Sequence, residues 1–301
     1  MCGIVGLYSK APAVEERLGA HLAEMLAQMS DRGPDSAGVA VYRDPAPPGS
    51  AKLVLHHPDP AFGWATLREG LADAFGGDPE PERRGTHAVF HVATDAEAAT
   101  AWVRRHRPDV QVMSAGEAIE IYKEVGRPEA FIEQFDLRSL QGTHALGHTR
   151  MATESRVTTA GSHPFSTGLD LCLVHNGSLS NHASLRRMLR REGIAFQTEN
   201  DTEVAAGYLT WRQREGASLE EALAGCLDDL DGFYTFAVGT RDGFAVLRDP
   251  IACKPAVMAE TDDWVAMASE YRAIAVLPGA DDARVWEPEP ARIYAWERER
   301  V

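Results

Sequence analysis

Short apolar runs bounded by polar turns alternate with longer stretches of helical periodicity along this chain. The first run, GIVGLYS at 3–9, predicts a buried strand that begins one residue after Cys2. The next stretch carries apolar residues every three or four positions and predicts a helix over 12–29, which the Gly-Pro pair soon after it would end. A second strand, SAGVAVYR, is predicted over 36–43.

Further strands are predicted where apolar residues alternate or run together, and further helices where the period is 3.6 residues. The predicted strands are 86–95, 109–116, 145–153, 169–177, a hairpin over 233–249, 255–261, 264–270 and 292–296. The predicted helices are 96–108, 117–135 with an interruption at Gly126-Arg127-Pro128, 181–193, 201–216 and 218–230. Strands group with strands and helices with helices, which favours a layered α+β fold over a doubly wound sheet.

The stretch from about Lys52 to Gly142 differs from its surroundings in the order of its predicted strands and helices. Its predicted order of strand, helix and strand is βαβ-like. We interpret 52–142 as an inserted subdomain within a single domain of residues 2–301. A docking surface for a partner and a purely structural elaboration would both account for it.

Composition and charge narrow the class of partner. The chain has 301 residues, 44% of them hydrophobic and 25% charged, as in soluble globular proteins. A net charge of −15 argues against nucleic acid and anionic membranes as partners, since both require an excess of Lys and Arg. No apolar stretch approaches the ~18 residues of a membrane span, and the N-terminus lacks the features of a signal peptide. We therefore expect a cytoplasmic protein.

The four cysteines are widely scattered and form no CxxC pair. That distribution excludes an ordinary zinc or iron–sulfur site and fits a reducing compartment. His144 and His148 are four residues apart, which would suit a metal on a helix, but their segment is predicted to be a strand. We interpret His163 and His175 as structural residues, and we expect no metal and no cofactor.

Cys2 stands directly behind the initiator methionine, where a cysteine can acquire a particular chemistry. Removal of Met1 would leave Cys2 with both a thiol and the free α-amino group of the chain. Such an amine has an unperturbed pKa of roughly 7.7–8.0, so a useful fraction is unprotonated near neutral pH. The amine could then serve as the base for the thiol of its own residue.

Several polar stretches elsewhere contain residues that such a nucleophile would need, and their order is informative. They are CGIVG at 2–6, RGPDSAG at 32–38, GHTRMATES at 147–155, HNGSLSN at 175–181, ENDTE at 199–203, RDPIACKP at 248–255 and ASE at 268–270. In this order they resemble the class II glutamine amidotransferases, which are N-terminal-nucleophile hydrolases that take ammonia from the amide of glutamine. Any one of the motifs alone would be a weak signal.

The resemblance implies a fold and a set of catalytic residues. The fold would be a four-layer αββα sandwich. Cys2 would attack the amide carbon of glutamine and form a thioester, which water would then cleave. The side chain of Asn176 and the backbone N–H of Gly177 would stabilise the oxyanion. Taken singly, Cys2 is an incidental cysteine and the Asn-Gly pair an ordinary turn; only the complete set favours the catalytic interpretation.

Glutamine is a zwitterion, so its recognition requires a fixed cation and a fixed anion. Arg150 suits the α-carboxylate, because a guanidinium can donate two parallel hydrogen bonds to it. Asp201, at a predicted helix start, suits the α-ammonium, although in isolation it would be interpreted as a helix cap. By resemblance, Thr153 would line the same pocket, and Arg32 would support the site without touching substrate.

The fate of the ammonia depends on what else the chain contains. The matching motifs extend to about residue 270, and no part of the sequence resembles a sugar isomerase, a phosphoribosyl-binding site or an ATP pyrophosphatase. We therefore expect L-glutamine as substrate and a synthase subunit as partner, as in the detached amidotransferase subunits of glutamate-synthase-like enzymes, including N-methylglutamate synthase. That partner would carry the acceptor site and the redox cofactors. The alternatives are a stand-alone γ-glutamyl amide hydrolase and an inactive regulatory relative, which the intact set of catalytic residues disfavours.

Overall fold

The computed structural model describes residues 2–152 and 157–298. Its strands are β1 (Gly3–Ser9), β2 (Ser36–Tyr42), β3 (Ala51–His56), β4 (Glu82–Arg84), β5 (His87–Val92), β6 (Gln111–Gly116), β7 (Ile119–Val125), β8 (His144–Arg150), β9 (Cys172–Leu179), β10 (Gly232–Gly239), β11 (Gly243–Arg248), β12 (Val257–Glu260), β13 (Trp264–Ala268), β14 (Arg284–Trp286) and β15 (Ile293–Glu297). Its helices are α1 (Pro12–Glu15), α2 (Leu18–Gln28), α3 (Ala65–Phe75), α4 (Ala96–His106), α5 (Pro128–Gln134), α6 (His182–Arg191), α7 (Asp201–Arg214) and α8 (Leu219–Asp229). None of the helices in these two ranges combines the length and apolar content that crossing a membrane requires.

Two antiparallel sheets pack face to face between two layers of helices. The larger sheet has the strand order β14-β12-β13-β1-β8-β2-β7, and the smaller has the order β15-β11-β10-β9. Side chains on β9–β11 alternate between two apolar cores. One core is shared with the larger sheet and α2, and it includes Val174, Ala237 and Val246 of β9–β11. The other lies under α6, α7 and α8, and it includes Leu173, Phe236 and Leu247. The predicted α+β sandwich of four layers is confirmed.

A third sheet, of four strands, has the order β4-β5-β3-β6 and a hydrophobic core of its own. Both β5 and β6 pair antiparallel with β3, so they run parallel to each other, and α4 connects them. This is a split βαβ unit, in agreement with the predicted βαβ-like character. We propose residues 51–116 as the insertion proper, because β7, inside the predicted range 52–142, belongs to the larger sheet.

The predicted helix over 117–135 is wrong in its first half. Residues 119–125 form β7, which pairs with β2 at the edge of the larger sheet, and only α5 is helical. Charged side chains recur along this segment, and such side chains usually lie at the surface. Two of them, Glu120 and Lys123, are instead buried, where polar partners compensate them. Pairing with β2 thus makes residues 119–125 a strand.

The predicted helix over 12–29 is interrupted near its start. It consists of α1 and α2, separated at Glu16 and Arg17. The backbone N–H of Gly19 donates to the carbonyl of Leu140 at 2.8 Å, outside the helix, so a continuous hydrogen-bond ladder is not formed there. The longer helix, α2, covers the outer face of the larger sheet.

Strand register brings the chemically interesting residues to one place. Because β1 pairs antiparallel with β8, with Gly3 opposite Thr149, Cys2 just before β1 lies beside Arg150 at the end of β8. The end of β9, in the second sheet, and the start of α7 reach the same region, and their residues line one cavity together with Cys2 and Arg150. The sandwich therefore places strand ends of both sheets around a common site.

Candidate active site

A cavity of about 180 Å³ lies where β1, β8, β9 and α7 meet. Five of the seven predicted site residues line it, namely Cys2, Arg150, Asn176, Gly177 and Asp201. A sixth, Arg32, contacts the backbone of Cys2. The seventh, Thr153, lies outside the described residues.

Cys2 is half-buried, and its backbone is held from two sides. The carbonyl accepts a hydrogen bond from Nε of Arg32 at 3.0 Å and another from Nδ2 of Asn176 at 3.3 Å. Its Sγ lies 3.9 Å from the carbonyl oxygen of Met151. These contacts fix the orientation of the residue that carries the thiol.

Arg32 is itself anchored by an ion pair that the sequence did not single out. Its guanidinium lies 2.6 Å from Oε1 of Glu270, and this hydrogen bond lowers the pKa of the Glu270 carboxyl. Glu270 also pairs with Arg272 at 2.8 Å. Glu270 belongs to the ASE motif at 268–270. The place of that motif in the ordered series was the sequence signal that could have identified Glu270. Arg32 thus stands behind Cys2 and supports its backbone.

Arg150 is only 7% exposed and is held in place by its neighbours. Its guanidinium donates to the carbonyl of Gly161 at 3.1 Å, which also accepts from Nδ2 of Asn200 at 3.4 Å. Asp35 binds the backbone on both sides of Met151, directly after Arg150. Its N–H donates to the carbonyl of Arg150 at 3.1 Å, and its carboxylate accepts from the N–H of Ala152 at 2.8 Å. The RGPDSAG stretch therefore fixes the end of β8.

Asp201 places a carboxylate on the wall of the same cavity. Its Oδ2 accepts from the N–H of Leu179 at 3.0 Å, and its Oδ1 lies 3.8 Å from Nδ1 of His175. As the first residue of α7, it also sits at the positive end of a helix dipole. Arg150 and Asp201 thus give the cavity one guanidinium and one carboxylate.

Asn176 and Gly177 lie near the end of β9, opposite β10. Gly177 has φ of 155°, and a Cβ there would lie 2.0 Å from the carbonyl oxygen of Phe233. No larger residue fits this position without moving the backbone of β10. Asn176 is buried and directs its side-chain amide at Cys2. The Asn-Gly pair is therefore part of a strand and is not the isolated turn that its sequence also allowed.

Two histidines that we interpreted as structural line the cavity as well. A hydroxyl connects them: Oγ1 of Thr202 lies 3.0 Å from Nδ1 of His175 and 3.1 Å from Nε2 of His163. Burial lowers the pKa of both imidazoles, and it lowers the pKa of the neighbouring His148 to about 3. These rings are neutral at pH 7. Across residues 2–152 and 157–298 no group of three or more His, Cys, Asp or Glu side chains could hold a metal ion.

Asn200 is a cavity residue that the sequence analysis missed. Its Oδ1 caps α7 by accepting from the N–H of Thr202 at 2.9 Å, while its Nδ2 donates to Gly161. The signal was the Asn that precedes the predicted helix start, because Asn is a preferred N-cap residue. It joins the wall that bears Asp201 to the segment that holds Arg150.

The chain is similar to known glutamine amidotransferases in sequence and to a solved amidotransferase in fold. A family model described as a glutamine amidotransferase domain matches residues 148–276. The chain is 56% identical over 305 residues to "Glutamine amidotransferase-like protein GlxB" of Rhizobium meliloti (strain 1021), with 100% of both chains covered. It is 32% identical to "Putative glutamine amidotransferase" of Methanothermobacter thermautotrophicus, with 98% of this chain and 99% of that one covered. The solved structure of glutamine phosphoribosylpyrophosphate amidotransferase from B. subtilis is similar in fold, with a TM-score of 0.62 at 21% identity, over 99% of this chain and 48% of that one.

Proposed function

The chain belongs to the class II glutamine amidotransferases, and we propose that it hydrolyses L-glutamine to L-glutamate and ammonia with Cys2 as the nucleophile. The observation that carries this proposal is the cavity in which the Cys2 thiol, one guanidinium, one carboxylate and the Asn-Gly pair meet. The experiment that tests it is product analysis. Ammonia released from L-glutamine supports the proposal, whereas selective cleavage of substituted γ-glutamyl amides would assign the chain to the hydrolase alternative.

The proposed reaction begins with proton transfer within Cys2. After Met1 is removed, the α-amine accepts the thiol proton, and the sulfur attacks the side-chain amide carbon of glutamine. The resulting tetrahedral intermediate collapses when the α-ammonium protonates the departing ammonia. A γ-glutamyl thioester remains on Cys2. Water, deprotonated by the same amine, attacks the thioester, releases glutamate and restores the thiol.

Asn176 and Gly177 are proposed to stabilise the oxyanion of both tetrahedral intermediates. An amide nitrogen has two N–H groups, so Asn176 can hold the Cys2 carbonyl with one and donate to the oxyanion with the other. Gly177 would add its backbone N–H. Preorganised donors of this kind typically contribute ~2.7–4 kcal/mol each to the transition state.

Arg150 and Asp201 are proposed to bind the amino-acid end of glutamine. Arg150 would hold the α-carboxylate, and its hydrogen bond to Gly161 already fixes the guanidinium plane. Asp201 would hold the α-ammonium while Leu179 and the start of α7 keep its carboxylate oriented. Thr153 would line the same pocket, as the family motif implies. Arg32 would act only through the Cys2 backbone.

We expect Arg150→Lys and Asp201→Asn to raise KM for glutamine by between about 10- and 100-fold, with a much smaller change in kcat. The lysine keeps the charge but not the bidentate geometry, and the asparagine keeps an acceptor for Leu179 but not the charge. Such a clamp holds ground state and transition state alike, so its loss appears in KM. Steady-state kinetics on folded variants measures this. Unchanged KM in both variants would show that the substrate lies elsewhere.

We further propose that the ammonia is delivered to a partner synthase subunit of the glutamate-synthase-like or N-methylglutamate-synthase type. At neutral pH free ammonia is mostly ammonium and a poor nucleophile, so release into solvent would waste it. Two apolar side chains in this region are exposed. Met151, which lines the cavity, is 37% exposed, and Phe233, whose backbone carbonyl lies against Gly177, is 36% exposed. A docked subunit would cover them and complete the site. The four unpaired cysteines support the cytoplasm as the compartment.

The small sheet of residues 51–116 is our candidate for part of the docking surface. Because β7 belongs to the larger sheet, the test should leave it intact and alter only exposed side chains of α3 and α4, such as Glu69, Asp73 and Arg105. We expect charge reversal there to weaken association with a co-purifying subunit while basal glutaminase turnover is kept. Native extracts with no associating subunit, together with full activity of the isolated chain, would refute the partner.

A further inference from the structure

Lys123, in the middle of β7, is a buried lysine whose ammonium is surrounded by backbone carbonyls. It is 4% exposed, and its Nζ donates to the carbonyls of Ala160 at 3.1 Å, Ser162 at 2.9 Å and Pro164 at 3.3 Å. The same Nζ lies 4.5 Å from the centroid of the Phe165 ring. One side chain thus ties three alternate residues of a loop to the larger sheet.

This loop is the one that carries the contacts of the candidate active site. Between the first two bonded carbonyls, the carbonyl of Gly161 accepts from Arg150 at 3.1 Å and from Asn200 at 3.4 Å. Between the next two, Nε2 of His163 lies 3.1 Å from Oγ1 of Thr202 on α7. Residues that bind Lys123 therefore alternate with residues that contact the cavity-lining side chains of Arg150, Asn200 and Thr202.

The loop also lies tightly against β2, at the residue paired with Lys123. Gly38 is opposite Lys123 in the register of β2 and β7. A Cβ at Gly38 would lie 2.1 Å from the carbonyl oxygen of His163 and 2.7 Å from Cβ of Lys123. The last glycine of RGPDSAG thus allows the loop to approach the sheet, and the lysine then holds it there.

A purely structural role does not require a charge at this position. Lys52, which is fully buried, forms an ion pair with the carboxylate of Glu120 at 2.9 Å and also donates to the carbonyl of Arg43 at 2.8 Å. Lys123 instead donates to neutral carbonyls, and its burial lowers its pKa to about 7, with Glu203 partly opposing the shift. An apolar side chain would avoid this desolvation cost. The directional N–H groups are what an apolar residue could not supply.

We propose that Lys123 is a positioning residue that, by fixing the loop at residues 160–164, holds the Gly161 carbonyl and through it orients Arg150 for glutamine. The proposal rests on the proposed function of Arg150 as the carboxylate clamp. It predicts that an alteration on the opposite side of the loop from the cavity changes substrate affinity. It also connects β7, the strand that follows the small sheet, to the substrate pocket.

Lys123→Met keeps the length of the side chain and removes its donors, and Lys52→Met is the matched control. We expect Lys123→Met to raise KM for glutamine about tenfold with kcat within about twofold, because a displaced clamp weakens binding more than chemistry. Lys52→Met should leave KM unchanged even where it lowers the melting temperature. If Lys123→Met does not fold, Lys123→Gln, which keeps two N–H groups, should show an intermediate KM.

A double variant separates positioning from general loosening. In the Arg150→Lys background, where the clamp is already impaired, adding Lys123→Met should raise KM much less than it does in the wild type. If the KM increases of the two single variants multiply in the double variant, Lys123 does not act through Arg150.

The pH dependence of KM gives a readout that a merely structural lysine would not move. The ionisable groups that face Lys123 are Glu203 on α7, His163 on the loop, and His56 and His87 on the small sheet. Burial lowers the pKa of all three imidazoles, and it lowers the pKa of Lys123 to about 7. The lysine, rather than a histidine, is therefore expected to lose its proton between pH 6.5 and 8.5. Above that pH the neutral amine has two N–H groups for three carbonyls. Wild-type KM should therefore rise from pH 6.5 to 8.5, whereas KM of Lys123→Met should be high and flat.

Amide hydrogen exchange of residues 157–165 tests the positioning independently of catalysis. Exchange should be faster in Lys123→Met than in the wild type and unchanged in Lys52→Met. Unaltered exchange would overturn the proposal whether or not the protein hydrolyses glutamine. A wild type that hydrolyses glutamine, combined with normal KM in Lys123→Met, would overturn the positioning role alone and leave the proposed function intact.

Discussion

Cys2→Ala is expected to abolish ammonia release from glutamine, with a loss in kcat on the order of 10⁴-fold or more. Removal of the nucleophile leaves no route to the thioester, and the oxyanion donors alone cannot replace it. Cys2→Ser should leave at most a trace, because a hydroxyl is harder to deprotonate than a thiol. The measurement is turnover by coupled detection of glutamate, with the melting temperature as a check on folding.

The other three thiols provide the controls for this result. Cys253 is exposed, so Cys253→Ser should keep full activity. Cys172 and Cys226 are buried, and burial raises the pKa of Cys172 to about 12 and that of Cys226 further, so neither forms a thiolate at neutral pH. Substantial turnover by Cys2→Ala, or its loss in Cys253→Ser, would assign the chemistry to a different residue.

Asn176→Ala is expected to lower kcat by about 10²–10³-fold with little change in KM, the cost of removing one oxyanion donor. The oxyanion exists only after attack, so the lost interaction is one that the transition state makes and the ground state does not. Asn176→Asp should be as slow or slower, because a carboxylate repels the developing charge. Saturation kinetics on both variants separates the two constants.

Asn181 is the matched control, since its Nδ2 also donates to a backbone carbonyl, that of Asp229 at 2.8 Å, but outside the cavity. Asn181→Ala should therefore leave kcat unchanged. If it lowers kcat as much as Asn176→Ala does, the effect reflects stability of the strand end. A rise in KM with normal kcat in Asn176→Ala would instead place that side chain in ground-state binding.

The residues at the candidate site could be predicted because each occupies a recognisable end of an element. Cys2 precedes a short apolar strand, Arg150 ends another, and Asp201 begins a helix. Such positions follow from periodicity and from the residue types that start and stop elements. Their order then matched a family. The antiparallel register of β1 and β8 brings Cys2 and Arg150 together, and α7 places Asp201 on the wall of the same cavity.

Residues that act through distant contacts could not be predicted in the same way. Lys123 lies in a segment that was predicted to be helical, and only the pairing of β7 with β2 places it in the larger sheet. Glu270 reaches Arg32 across 238 positions of the chain, a separation that no local pattern encodes. The neutral state of His163 follows from burial, which composition does not reveal.

The proposed base is the free α-amine of Cys2, and mass spectrometry of the enzyme during turnover tests it most directly. The protein would be mixed with excess L-glutamine, quenched in acid and digested, and the N-terminal peptide would be sequenced. We predict a peptide that begins at Cys2, without Met1, and that carries a γ-glutamyl group on its thiol. Fully active enzyme that retains Met1, or an acyl group on any other residue, would contradict the mechanism.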